Sequence, residues 1–247
     1  MNFFSLFKRK IIYQLKKKIL IDDDFINDKL LDKLFHKYGS DKANTFIKNN
    51  FQGHGFSKFY AKHLDKLKNK KINILEIGSY SGASAAAFVK YFPYSKVFCF
   101  DINISNFKYK SKNIHVYGLD INHKNQVNKT LNQIYKKNNF QKFDLIIDDG
   151  SHNLKDILVS LNFFFSHLKD KNFFIIEDFK HPNYYEYNRD INHILVDKVL
   201  ENLKNKTIFN SSIMDEKDQL MMMNSIEKIF FYKGNLENSD ICFIQKI

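Results

Sequence analysis

Residues 72–82 read Ile72-Asn73-Ile74-Leu75-Glu76-Ile77-Gly78-Ser79-Tyr80-Ser81-Gly82. An apolar run closes on a glycine, and small residues then lead into a stretch of helical spacing near 82–92. This is the pattern of a buried strand, a sharp turn and a helix. The same rhythm returns at 96–101 (KVFCFD), 113–117 (NIHVY), 143–148 (FDLIID) and 173–178 (FFIIED). Helical periodicity near 123–138, 154–168 and 190–205 separates most of these runs. Short apolar strands alternating with helices predict an α/β fold: a doubly wound parallel sheet with helices on both faces. The last residues break the alternation. Segments 226–232 (IEKIFFY) and 240–246 (DICFIQK) are joined by a loop holding Gly234 and Asn235, too short for a crossover helix. They must pair antiparallel. Five parallel strands followed by a terminal hairpin is not the plan of a dinucleotide-binding dehydrogenase.

The formal net charge of +12 raises nucleic acid as a partner. The lysines are spread through every segment, however, and there is no arginine cluster, zinc spacing or RNA-binding signature. Nucleic acid is therefore set aside as substrate. No stretch approaches the roughly 20 apolar residues of a membrane-spanning helix. The opening residues are too short and broken in their apolar run for a signal peptide. Cys99 and Cys242 sit in apolar strands, as free thiols of a cytoplasmic protein would. Leu6, Ile11, Leu15 and Ile19, with lysines between them, fit a basic amphipathic helix over the N-terminal extension 1–35. Packing of that stripe on the domain, or on a second subunit of a homo-oligomer, is the expectation. Peripheral docking of residues 1–20 at the inner face of a membrane is the alternative.

Ligands of open α/β sheets bind beyond the carboxyl ends of the strands. Gly78 lets the chain turn closely there, and Gly82 opens the next helix. Tyr80 stands where a dinucleotide fingerprint would place its middle glycine. Glu76 would repel a phosphate but suits the ammonium of a methionine-like ligand. Asp101, ending the second strand, can accept from both ribose hydroxyls, and Asp120, after the third, can reach an adenine.

The fourth strand ends in Asp148-Asp149-Gly150-Ser151-His152 and the fifth in Glu177-Asp178. Four carboxylates at neighbouring strand ends repel one another unless a cation sits among them. With no cysteine at hand and one histidine near, Mg²⁺ or another hard divalent cation fits better than zinc. A neutral His152 could take a proton from a hydroxyl beside that ion. The plainer alternative has Asp149 and Ser151 capping the helix near Leu154, with His152 passive.

Taken together, these motifs resemble the metal-dependent O-methyltransferases of macrolide and glycan sugars, the mycinamicin and macrocin type, with the cephalosporin hydroxylase and rhamnosyl O-methyltransferase group. The resemblance covers about residues 36–246. It rests on Tyr38-Gly-Ser-Asp-Lys42, Leu75-Glu-Ile-Gly78 with Ser84, Phe92-Pro93, Asp101, Asp148-Asp-Gly-Ser-His152 and Ile176-Glu-Asp178. It implies a class I, Rossmann-like methyltransferase domain over 36–247 that uses S-adenosylmethionine. Glu76, Gly78, Tyr80, Ser84, Asp101, Asp120 and Asp148 would line the cofactor pocket. Asp149, Glu177 and Asp178 would bind Mg²⁺, and His152 would be the catalytic base. Segment 38–42 would fold over the site, with Lys42 or His54 near cofactor or substrate. The implied acceptor is a hydroxyl of a small molecule or glycan, and Tyr184, Tyr185 and Tyr187 could stack on its ring. A hydroxylase-like or catechol-type enzyme, or a silent cofactor-binding subunit, would share the same residues. The residues before the match are too few for the auxiliary N-terminal domain of the larger macrolide enzymes, so their oligomer contacts are not carried over.

Overall fold

The structure is a computed structural model that describes residues 3–26, 29–45, 51–180, 194–237 and 239–247. It divides into two compact units, Met1–Asp120 with Gly234–Glu237 and Ile121–Lys233 with Asn238–Ile247.

In the first unit the order is α1 (Phe3–Leu15), β1 (Ile19–Leu20), α2 (Leu31–Tyr38), α3 (Ser57–Leu64), β2 (Ile72–Ile77), α4 (Ala83–Tyr91), β3 (Ser95–Asp101), β4 (Tyr109–Lys110) and β5 (Ile114–Gly118). Strand β2 runs parallel to β3 with Ile77 opposite Phe100, and β3 runs parallel to β5 with Asp101 opposite Gly118. The three strands therefore end nearly level, which puts Glu76, Asp101 and Asp120 at one edge. Helix α4 carries Ala83, Ala85, Ala86 and Ala87, all buried. Small side chains let the helix backbone lie close to what covers it, and Phe88 then packs edge-on against Phe35.

The second unit holds α5 (Lys124–Asn138), β6 (Phe143–Asp148), α6 (Leu154–Phe164), β7 (Leu168–Glu177), α7 (Val196–Asn205), α8 (Glu216–Ser225), β8 (Ile226–Lys233) and β9 (Asp240–Lys246). Here β6 and β7 are parallel, β7 pairs antiparallel with β9, and β9 pairs antiparallel with β8. The strand order is β5-β3-β2 in the first unit and β6-β7-β9-β8 in the second. The expected terminal hairpin is present, and it lies with its second strand inward.

Boundaries differ from the sequence expectation where local chemistry intervenes. The helix expected over 154–168 stops at Phe164 and tightens into a 3-10 turn at Phe165–His167, so β7 starts earlier than the apolar run suggests. Helix α8 was not foreseen because EKDQLMMMNS carries no apolar stripe; Asp215 caps it by accepting from the Asp218 N–H at 2.7 Å. Residues 190–193 of the expected helix 190–205 lie outside the described residues.

The stripe expected over Leu6, Ile11, Leu15 and Ile19 does not run along one helix, and its first member, Leu6, is half-buried. Helix α1 ends at Leu15, Ile19 belongs to the short parallel pair β1–β4, and Ile11 and Leu15 are exposed. The opposite side of α1 makes the contacts. Arg9 donates to the Ile102 carbonyl at 2.8 Å, Lys16 to that of Ser105 at 3.0 Å, and Tyr13 meets Phe107 edge-on at 6.3 Å.

Candidate active site

The first unit builds a loop suited to a cofactor with a charged head and a polar ring. Gly78 has φ 84° and hands its N–H to the Phe100 carbonyl at 2.8 Å, bringing the chain sharply out of β2. Tyr80 follows in the left-handed region at φ 42°, exposed, with its N–H donated to Asp101 Oδ2 at 2.6 Å. Asp101 Oδ1 accepts from the Asn103 N–H. Each Asp101 oxygen has spent one acceptor site on backbone and keeps another, as a ribose diol would need. Gly82 has φ 76°, and a side chain there would meet the Phe107 ring at 2.3 Å. Glu76 is fully buried, and the Ser84 hydroxyl donates to its Oε1. An ionised carboxylate at that depth needs donors or a cation around it. Asp120 is buried two residues past β5.

The polar segment at 38–42 is tied to the loop 53–57 rather than left open. Asp41 O accepts from the His54 N–H at 2.7 Å, Ala43 O from Gly55 at 3.0 Å and Lys42 O from Phe56 at 2.9 Å. Gly53 is obligatory, since a Cβ there would lie 2.1 Å from the Ala43 oxygen. Lys42 is buried and His54 half-buried.

In the second unit the carboxyl ends of β6 and β7 bring Asp149, His152 and Asp178 together. One ligand atom from each lies within 4.8 Å of the others. His152 Nε2 and Asp149 Oδ1 stand 3.8 Å apart, beyond hydrogen-bond reach. Two carboxylates no more than 4.8 Å apart repel by about 3 kcal/mol at an effective dielectric near 20. Around Mg²⁺, with bonds of about 2.1 Å, opposite ligands are about 4.2 Å apart, and around Ca²⁺ about 4.8 Å. The spacing fits one hard divalent ion.

Backbone strain marks the same residues. His152 sits at φ 58° and Asp178 at φ 51°, each in the left-handed region. Such positions cost about 1–3 kcal/mol for a side chain with a Cβ and gather at functional sites. Asn139 and Lys206, also left-handed, have the ordinary excuse of ending helices α5 and α7. The strained turn at His152 is braced from α6. Asn153 is the helix cap, accepting from the Asp156 N–H at 2.9 Å, and Ser151 donates to Asp156 Oδ2 at 2.6 Å. Capping therefore falls to Asn153 and leaves Asp149 for other work, contrary to the plainer alternative. Asp178 is fixed by its N–H, which donates to the Asp240 carbonyl at 2.7 Å.

Two expected site residues stand apart from this trio. Glu177 is buried at the last position of β7 and is not one of the three converging groups. Asp148 is buried in β6, accepts from the Gly150 N–H at 3.2 Å, and is pushed up to about 7 by burial. Tyr184, Tyr185 and Tyr187 lie outside the described residues.

A cleft of about 430 Å³ adjoins Asp178 through Phe179 and Asp240. It is also lined by Asp197, Glu201, Phe231 and Lys233. Phe179 and Phe231 tilt together at 6.2 Å. The sequence pattern singles out none of these residues; Asp197 and Glu201 lie four apart on α7 with no motif around them.

Over 88% of its length the chain superposes with a TM-score of 0.65 and 20% identity on 54% of the MycE methyltransferase of the mycinamycin pathway, solved with Mg, SAH and mycinamycin VI. The chain has a methyltransferase fold. A putative ribosomal RNA methyltransferase from Plasmodium falciparum gives a TM-score of 0.53 at 13% identity, covering 78% of this chain and 93% of that one. No family model matches. In sequence the chain is similar to L-olivosyl-oleandolide 3-O-methyltransferase of Streptomyces antibioticus, 31% identical over 155 residues, 60% of this chain and 36% of that protein. It is also similar to mycinamicin VI 2''-O-methyltransferase of Micromonospora griseorubida, 25% identical over 146 residues, 51% of this chain and 31% of that protein. The chain thus spans about a third of the length of the curated relatives it matches.

Proposed function

We propose that this chain is an S-adenosylmethionine-dependent O-methyltransferase that methylates a hydroxyl of a sugar with the help of Mg²⁺. The observation that carries the reading is the convergence of Asp149, His152 and Asp178 at two strand ends, at a spacing suited to one hard cation. The likeness to sugar O-methyltransferases of macrolide pathways supports the choice of acceptor.

When bound, the cofactor supplies an electrophilic methyl on a sulfonium and the ion supplies a Lewis acid that acidifies an acceptor hydroxyl. The chain's own residues do the rest. Glu76, oriented by Ser84, holds the amino end of the cofactor, and Asp101, braced by the Tyr80 and Asn103 N–H groups, takes the ribose hydroxyls. Gly78 and Asp120 would line the remainder of that pocket. Asp149 and Asp178 would hold the ion, with Glu177 as a further carboxylate from the adjoining position. The imidazole of His152 would accept the hydroxyl proton as the acceptor oxygen bonds the methyl carbon and the methyl–sulfur bond breaks. Asp156, through Ser151, is a positioning residue for that histidine. The cleft offers the exposed ring of Phe231 for a sugar and the carboxylates of Asp197, Glu201 and Asp240 for its hydroxyls. A cytoplasmic setting suits the buried free thiols of Cys99 and Cys242.

Replacing His152 by Ala tests the base. Turnover with a sugar acceptor that carries a free hydroxyl should fall about 10²–10⁴-fold, while calorimetric binding of S-adenosylhomocysteine stays unchanged. Turnover that survives intact would remove His152 from the chemistry. Methyl transfer to catechols alone would remove the sugar.

A further inference from the structure

We propose that α1 docks this protein on the surface of an anionic lipid membrane. The inference is independent of the proposed chemistry, because it rests on a helix turned the unexpected way round. Phe4, Phe7, Ile11 and Leu15 follow one another at helical spacing and fall within an arc of about 80° on a helix of 100° per residue. They are 78%, 54%, 40% and 82% exposed. Tyr13, about 180° from Phe4 on the same wheel, faces the domain with Arg9 and Lys16. The side of α1 that carries Arg9 and Tyr13 is therefore the docked side, and Phe7, Ile11 and Leu15 on the other side are exposed. A run of large exposed apolar side chains rimmed by charge marks an interaction surface.

Charge selects the occupant. Residues 1–21 contain Lys8, Arg9, Lys10, Lys16, Lys17 and Lys18 and no acidic residue. Arg9 and Lys16 bind backbone carbonyls, while Lys8, Lys10 and Lys17 remain exposed at the borders of the helix. A second copy of this segment laid on the stripe would set the exposed Lys8, Lys10 and Lys17 against their own counterparts. Anionic headgroups would meet the same lysines with attraction while acyl chains received the phenylalanines. No helix among the described residues is long and apolar enough to cross a membrane, so the helix lies in the interface.

The test is co-sedimentation of the full chain with vesicles of phosphatidylcholine alone and of phosphatidylcholine with phosphatidylglycerol at 3:1. Binding to the anionic vesicles should exceed binding to the neutral ones at least tenfold and fall sharply as salt is raised. The double variant Phe7→Ser, Ile11→Ser should lose at least tenfold in partitioning while the melting temperature falls by a few degrees at most, since both side chains are about half exposed. No binding to anionic vesicles overturns the proposal. Equal binding to both vesicle types overturns the anionic surface. A dimer that the double variant converts to monomer, without vesicle binding, hands the stripe to a second copy.

Discussion

Exchanging Asp149 for Asn should stabilise the metal-free protein and destabilise the metal-loaded one. The two carboxylates of Asp149 and Asp178 are at most 4.8 Å apart at their candidate ligand atoms, a repulsion of about 3 kcal/mol at an effective dielectric near 20. The Asp149 side chain retains 20% exposure, and screening by solvent brings the recoverable part to about 1–2 kcal/mol. For a chain of this size each kcal/mol moves the midpoint by about 2–4 °C. In EDTA the variant should melt about 2–8 °C above the parent. With Mg²⁺ at a hundred times its dissociation constant, binding adds about 2.7 kcal/mol to the parent, or about 5–10 °C, and adds little to the variant. The order of melting should therefore invert between the two buffers. Scanning fluorimetry or calorimetry reads both. A variant that melts below the parent in EDTA, or a Mg²⁺ shift of equal size in both proteins, would refute the reasoning.

Glu76→Gln should weaken S-adenosylhomocysteine binding about tenfold, close to 1.4 kcal/mol, by removing the charge from a fully buried acceptor; calorimetry showing equal affinity would contradict its role. Gly82→Ala should cost about 2–4 kcal/mol in urea unfolding, because φ 76° disfavours a side chain and the new methyl would meet the Phe107 ring at 2.3 Å. His63 is lowered to about 4 by burial, then by Lys62 and Lys66. From pH 6.5 down to about 4 the unfolded chain binds a proton that the folded one refuses. Stability should therefore fall by about 1 kcal/mol over that window, after discounting for the half-buried position, and His63→Gln should flatten the slope.

Much of the architecture was legible because buried parallel strands write themselves as short apolar runs. INILEI, KVFCFD and FDLIID became β2, β3 and β6 with ends shifted by a residue at most. The hairpin was legible from loop length. The site was legible only as position along strands. That Asp149 and Asp178 are neighbours follows from β6 pairing with β7, and the pattern carries that. Which carboxylate of the Glu177-Asp178 pair turns toward Asp149 depends on a left-handed residue at the strand's exit, and no propensity announces that conformation at an aspartate. The cap at Asn153 was missed for a related reason. Four cap-forming residues crowd the Asp148–Asn153 turn, and only the bond to Asp156 tells them apart. Helix α1 misled because an apolar stripe usually marks the packed face, whereas backbone carbonyls at Ile102 and Ser105 captured the cationic side instead.

The central claim is that β6 and β7 end around one divalent cation with an imidazole at its edge. Crystals of the protein grown with Mn²⁺ in place of Mg²⁺ and measured at the manganese edge test it directly. One anomalous peak is expected between the carboxylates of Asp149 and Asp178. Diffraction data with no peak there, or with manganese bound only elsewhere on the chain, would contradict it.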